Sequence, residues 1–211
     1  MMASEAFASR SAPFRLPDEL ARELETSYSE PRRAYHSMAH VAEVLRWYDE
    51  VAESIGWEQP GEVYAAIVFH DAVYTPGERD NEARSAAWAR RADLPVDRAR
   101  VAALIELTAR HGALAPGDVD RDAALFLDCD MAIIGAGVDE FDSYDAAIAR
   151  EYANIPLETY RAGRRAFLAG LAARQRIFLS DYFHTRLDAA ARANLRRALG
   201  ALDQAAGRTT V

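Results

Sequence analysis

Apolar residues recur at three- and four-residue intervals over almost the whole length of this chain, and no convincing run of alternating, β-branched residues interrupts them. That spacing collects side chains on one face of a helix, whereas a half-buried strand needs a period of two. An all-α domain is therefore expected. Leu20, Leu24 and Tyr28 mark a first helix after Pro17, closed by the "SEPRR" turn. A second runs from His40 through Val41, Val44, Leu45 and Tyr48 toward Gly56. The third, "GEVYAAIVFHDAVY", is apolar on nearly all sides until "TPGERDN" stops it, which predicts the central buried helix, with His70 and Asp71 in its last turn. Asn81 is expected to cap "EARSAAWARRA", and Leu94-Pro95 closes that helix. "VDRARVAALIELTARHGA" follows, with Gly112 just past its end, and then "RDAALFLDCDMAIIG", stopped by Gly135. "FDSYDAAIAREYANI", a long arginine-rich helix from about Leu157 to Phe183, and "ARANLRRALGALDQA" complete a bundle of roughly eight helices in one domain, 1–211. Residues 1–12 and 207–211 are expected to fray.

A chain of 211 residues is long enough to bury one core without disulfides, and the single Cys129 cannot form one internally. The first residues lack the apolar run of a signal peptide, and the longest apolar stretches fall well short of the roughly 18 residues that span a bilayer. A cytoplasmic location away from membranes is the expectation. All 25 basic residues are arginine. The absence of lysine excludes a Schiff-base mechanism and a phosphate-loop lysine, leaving arginine or a metal for phosphate recognition. A net charge of −8 argues against general nucleic-acid binding, yet admits a small anionic substrate wherever a bound cation reverses the local sign.

Ionisable residues inside the most apolar segments carry the functional information, because an unpaired buried charge costs several kcal/mol. His70 and Asp71 end the most hydrophobic helix. Asp128 and Asp130 lie within "LFLDCDMAII", which is equally apolar. With no lysine and no obvious neighbouring arginine, a divalent metal would neutralise them. Adjacent residues project about 100° apart on a helix, so His70 and Asp71 can share one ion only where a helix end loosens the geometry. "YHSMAH" adds two further histidines, His36 and His40. A mixed nitrogen and oxygen set with positions left for water is the arrangement of a catalytic rather than a closed structural site.

The order His40, His70-Asp71, Asp130 resembles the H…HD…D signature of the HD superfamily of metal-dependent phosphohydrolases, an all-helical fold. "YHSMAHVAEV" is similar to the "YHN..HA.DV" stretch of cyclic-nucleotide phosphodiesterases, where the second histidine binds metal and the first donates a proton to the leaving group; "DCDM" resembles their "ATDM". From "RRAYHSMAH" through "FHDAVY", "DNEARSA", "LTARH", "LDCDMAIIG" and "REY" to "ARANL", the chain looks like a bacterial family of predicted HD phosphohydrolases of about this length.

The resemblance implies His40, His70, Asp71 and Asp130 as ligands of a divalent ion (manganese, magnesium, iron, cobalt, nickel or zinc). Asp128 competes for the fourth place, since residues two apart on a helix face nearly opposite ways; the match to "DM" favours Asp130, and Asp128 otherwise caps a backbone group or pairs with an arginine. His36 is the candidate general acid, or else a histidine hydrogen-bonded to the turn after "EPRR". Glu82 orients or deprotonates the attacking water, or only favours its helix dipole. His111 contacts substrate or a looser second metal, or sits by a helix C-terminus for electrostatic reasons, and His184 reads as structural. Arg33 and Arg150 are the arginines expected near a phosphate, because guanidinium forks suit its oxygens. Tyr35, Phe69, Tyr74 and Trp88 have rings able to stack on a base, although helical spacing makes most of them core. The implied reaction is hydrolysis of a phosphate ester of a nucleotide or small phosphorylated metabolite. A metal- or ligand-binding module without turnover and a di-iron oxygenase are the alternatives, and the oligomeric state stays open.

Overall fold

In the computed structural model of this protein, which describes residues 7–208, every regular element among the described residues is helical. Helix α1 (Asp18–Tyr28) starts behind Pro17, carries Asp18 and Glu19 in its first turn and buries Ala21, Leu24 and Tyr28 along one face. The acids favour the positive end of the helix dipole and the spacing supplies the apolar stripe. Helix α2 (Met38–Ser54) buries His40, Val41, Val44, Leu45, Tyr48 and Val51. It ends where Gly56, at φ 71°, turns back to donate to Val51 O at 2.9 Å. A residue with a Cβ would be strained in that left-handed conformation.

Helix α3 (Pro60–Phe69) has proline in its first turn, and every residue from Val63 to Phe69 is buried. It is the central helix that its composition predicts: α2, α4 (Asn81–Arg91), α5 (Arg98–Thr108) and α6 (Arg121–Met131) all pack against it. Asp97 and Asp120 cap α5 and α6 by accepting backbone N–H groups. A 3-10 turn at Ala132–Gly135 then delivers the chain to α7 (Val138–Glu151), α8 (Leu157–Ala172) and α9 (Asp181–Arg208). Gly135 is needed there for space, since a Cβ would stand 2.7 Å from that of Leu187. One continuous apolar cluster runs from Phe7 to Ala198.

Three expectations are corrected. The long helix read from about Leu157 to Phe183 breaks at Ala172 and resumes at Asp181. Side chains distant in sequence take the backbone groups of the intervening loop: Asp188 accepts from Ile177 N at 2.7 Å, and Asp128 accepts from Leu179 N and Ser180 N, each at 2.7 Å. Asn81 lies inside the first turn of α4 rather than before it; its amide staples the preceding loop, accepting from Thr75 N at 3.0 Å and donating to Thr75 O at 2.9 Å. Residues 7–12 pack rather than fray: Phe7 is buried, and Asp49 accepts from Ser9 Oγ and from the N–H groups of Arg10 and Ser11. Residues 207 and 208 continue α9, while 1–6 and 209–211 lie outside the described residues.

Candidate metal centre

The sequence scatters its four donor candidates over ninety positions, and three helix ends bring them together. His40 lies in the first turn of α2. His70 caps the C-terminus of α3 in helical conformation and Asp71 follows it in the departing turn, so the two can share one point in space. Asp130 is in the last turn of α6. The Nε2 atoms of His40 and His70 are 3.1 Å apart. Asp71 Oδ2 lies 3.1 Å from His70 Nε2 and 3.6 Å from His40 Nε2, and Asp130 Oδ1 lies 3.1 Å from His40 Nε2 and 3.5 Å from His70 Nε2. Both imidazoles are buried, whereas the two carboxylates keep 17% of their side-chain surface exposed, so the cluster opens to solvent on its acidic side.

The donor chemistry fits a cation. His70 Nδ1 lies 2.7 Å from Ile67 O. A carbonyl can only accept, so Nδ1 carries a proton and Nε2 is the atom turned to His40 and the carboxylates, a donor when protonated and a metal ligand when not. His40, His70 and Asp71 each offer a donor atom, all within 4.8 Å of one another, and Asp130 meets the two imidazoles from the other side; such a set is satisfied by positive charge, from protons or from a metal ion competing for the same lone pairs. Burial alone would push both carboxylates up, yet the adjacent imidazoles outweigh it and hold Asp71 and Asp130 below the ordinary carboxylate value. For His70, burial acts downward and the same two carboxylates win, raising it well above the ordinary histidine value. The ordering is that of imidazolium–carboxylate pairs, in which the positive charge comes from protons.

Beside this cluster stands a second pair. His36 Nδ1 is 2.7 Å from Glu151 Oε2, and Tyr74 OH donates to the same oxygen at 3.0 Å. Glu151 Oε1 accepts from the backbone N–H groups of Tyr35 and His36 at 2.8 and 2.9 Å. The His36 ring stacks on Tyr74 at 4.1 Å, keeps 20% of its side chain exposed, and turns its Nε2 to no protein partner among the described residues. Burial lowers the His36 pKa, but Asp71 and Glu151 outweigh it and the net shift is upward; Glu151 itself is held down to about 2. Glu151 is absent from the sequence-level candidates. The available signal is its place on the buried stripe Phe141, Tyr144, Ile148, Glu151, where an acid needs a partner.

The remaining candidates separate. Asp130, not Asp128, joins the cluster. Asp128 is 2% exposed and serves the loop before α9, also accepting from Ser180 Oγ at 2.6 Å, with burial pushing its pKa up to about 7. Glu82, half-buried in the first turn of α4, is raised first by burial and then by the charges of Asp71 and Asp130, and makes no direct contact with the four donors among the described residues. His111 donates from Nε2 to Leu127 O at 2.7 Å and faces Asp130 Oδ2 with Nδ1 at 3.7 Å. Arg150 is exposed and borders a cleft of about 540 Å³ between α2 and α7; of the four donor residues only His40 also borders it. Arg33 is buried, and both terminal nitrogens of its guanidinium donate to protein acceptors; its Nε has no hydrogen-bond partner among the described residues and lies 3.9 Å from Glu30 Oε2. Of the rings considered for stacking, Phe69 is core, Tyr74 is held by Glu151, and Tyr35 packs against His40 at 4.7 Å. His184 pairs with Asp188 on α9.

Among the described residues no helix is long and apolar enough to cross a membrane. Comparison of the chain with protein-family models, with curated proteins and with solved structures finds no match.

Proposed function

We propose that this chain is a metal-dependent phosphohydrolase that cleaves a phosphate ester of a nucleotide or another small phosphorylated metabolite. The observation that carries the reading is the convergence of His40, His70, Asp71 and Asp130 next to an independently held His36. A divalent ion, when bound, supplies Lewis-acid polarisation of a phosphoryl oxygen and a more acidic water. The chain's own residues do the rest. His36, raised by the charge of Asp71 and by its contact with Glu151, has its unpartnered Nε2 available to give a proton to the departing alkoxide, the step that limits esters of poor leaving groups. Glu82, its carboxyl raised by burial, is the candidate to accept a proton from the attacking water. Deep burial of both imidazole ligands keeps water from the far side of the donors. His111, with its free nitrogen turned to Asp130, is the one further group positioned to support a second, looser ion.

The reading is tested by screening nucleotides and sugar phosphates for phosphate release with manganese, magnesium, cobalt or nickel, with bound metal quantified in parallel. The parent is expected to release phosphate with at least one ion, and His70→Ala to lose it by about 1,000-fold or more, in line with the usual share of the barrier carried by electrostatic stabilisation. A His70→Ala protein that hydrolyses as well as the parent removes the site. A parent that binds metal without turnover is a binding module. Oxygen consumption with two irons per chain would identify an oxygenase instead.

A further inference from the structure

We propose that Arg33 is a positioning residue of the metal centre: its one guanidinium fixes, through backbone carbonyls, the spacing between the loop that leads into His36 and His40 and the turn that carries His70 and Asp71. The inference rests on the proposed metal site and adds a role that the donor geometry alone does not assign. The last carbonyls of a helix have no partners within it and must find others. At the end of α3 they are met by side chains: Tyr28 OH donates to Val68 O at 3.0 Å and His70 Nδ1 to Ile67 O. Phe69 O accepts from Ala72 N, and Arg33 takes two carbonyls of the turn beyond the helix. Its NH1 donates to Asp71 O at 2.6 Å and its NH2 to Ala72 O at 3.1 Å, while NH1 also reaches His36 O at 3.1 Å on the other side. Ser27 Oγ accepts from NH2 at 3.2 Å and itself donates to Ala72 O.

The guanidinium lies between the rings of Tyr28 and Tyr74, at 5.2 and 5.7 Å from their centres, with 1% of its side chain exposed. A phosphate cannot reach it there. What it spans is the junction across which His40 Nε2 and Asp71 Oδ2 must stay 3.6 Å apart. A planar fork with fixed donor directions can hold carbonyls from two chain segments at once, and its charge favours the negative end of α3. A lysine ammonium keeps the charge and loses the fork. Groups that orient metal ligands from behind generally change metal affinity by roughly 10- to 100-fold when removed.

Cobalt(II) provides the test, because the visible spectrum of the bound ion reports ligand arrangement without turnover. Parent, Arg33→Lys, Ser27→Ala and Tyr64→Phe proteins are titrated with cobalt(II) and melted in chelator. Tyr64→Phe removes a buried hydrogen bond from α3, the one to Phe7 O at 2.9 Å, away from His36 and Asp71, and so reports what destabilisation alone does. Arg33→Lys is expected to bind cobalt about tenfold or more weakly with an altered spectrum, Ser27→Ala to be weakened less, and Tyr64→Phe to match the parent. Parent-like affinity and spectrum in Arg33→Lys overturn the inference, as does equal weakening in Tyr64→Phe. Should Arg33→Lys not fold, Ser27→Ala decides: weaker binding than Tyr64→Phe supports the role and equal binding overturns it. A parent that takes up no cobalt overturns the metal reading itself, and this inference with it.

Discussion

Glu151 and His36 lie 115 positions apart and meet at 2.7 Å, and the pair sets the protonation of the proposed acid. Asp71 and Glu151 both raise His36 against its burial, but an ion bound by Asp71 would cancel that aspartate's share and leave Glu151 as the group holding the imidazolium. A proton donor works below its pKa, so the alkaline limb of kcat against pH is expected above the ordinary histidine value of about 6.5. In Glu151→Gln that limb moves to lower pH and kcat at neutral pH falls by about tenfold or more, within the usual range for general acids. The fall should be larger for an alkyl phosphate than for an aryl phosphate with a good leaving group; equal losses, or an unmoved limb, would count against His36 as the acid. The same carboxylate, held near 2 against an ordinary 4.5, contributes stability that is complete above 4.5 and lost as pH falls toward 2. At this scale the sequence is legible where a residue conflicts with its surroundings: His70, Asp71 and Asp130 stand out as ionisable groups in apolar runs. Arg33 and Glu151 do not, since their partners are main-chain groups and a side chain over a hundred residues away. An arginine before "YH" looks the same whether it meets a phosphate or a carbonyl.

Among the elements, the apolar period led to roughly eight helices where the described residues form nine α-helices, and it put the last break between Phe183 and Ala191, inside α9, instead of between α8 and α9. Local propensity favours continuity through "AARQRIF", and the break is imposed from α6 and from within α9. Asp128 takes Leu179 N, Ser180 N and Ser180 Oγ, while Asp188 takes Ile177 N and Arg192 donates to the carbonyls of Arg174 and Gln175. Two aspartates two residues apart on α6 thus face opposite duties, one toward the donor cluster and one toward the loop. Removing the buried acceptor would leave at least one fully enclosed N–H without a partner, at about 1–3 kcal/mol for each such group. Asp128→Ala is accordingly expected to lower the urea-unfolding free energy by about 3 kcal/mol while leaving the metal stoichiometry intact. A loss under about 1 kcal/mol, or a loss of metal at full stability, would reverse the division of labour between Asp128 and Asp130.

For the molecule as a whole, a chain of net charge −8 with arginine as its only fixed cation folds about one apolar core, whose central helix ends in the buried imidazole of His70 and in Asp71, facing His40 from α2. Such an interior is stabilised by whatever cation the site accepts, since a ligand of the folded state alone adds RT ln(1 + [L]/Kd). At a hundredfold excess over Kd that is about 2.7 kcal/mol, or on the order of 5–10 °C in Tm for a chain of this size. The parent should therefore melt lower by that margin after chelation and recover on adding metal. Asp71→Ala should melt near the chelated parent, or above it where relief of carboxylate crowding offsets lost packing, and respond little to either treatment. Acid has the same sign as chelator, because protons displace the ion from the imidazoles before they reach the carboxylates, so the metal-dependent part of Tm should vanish as pH drops below the histidine range. Melting curves of the parent that superimpose with and without chelator across pH 5–8 would show that protons alone, not a metal, hold the four donors together.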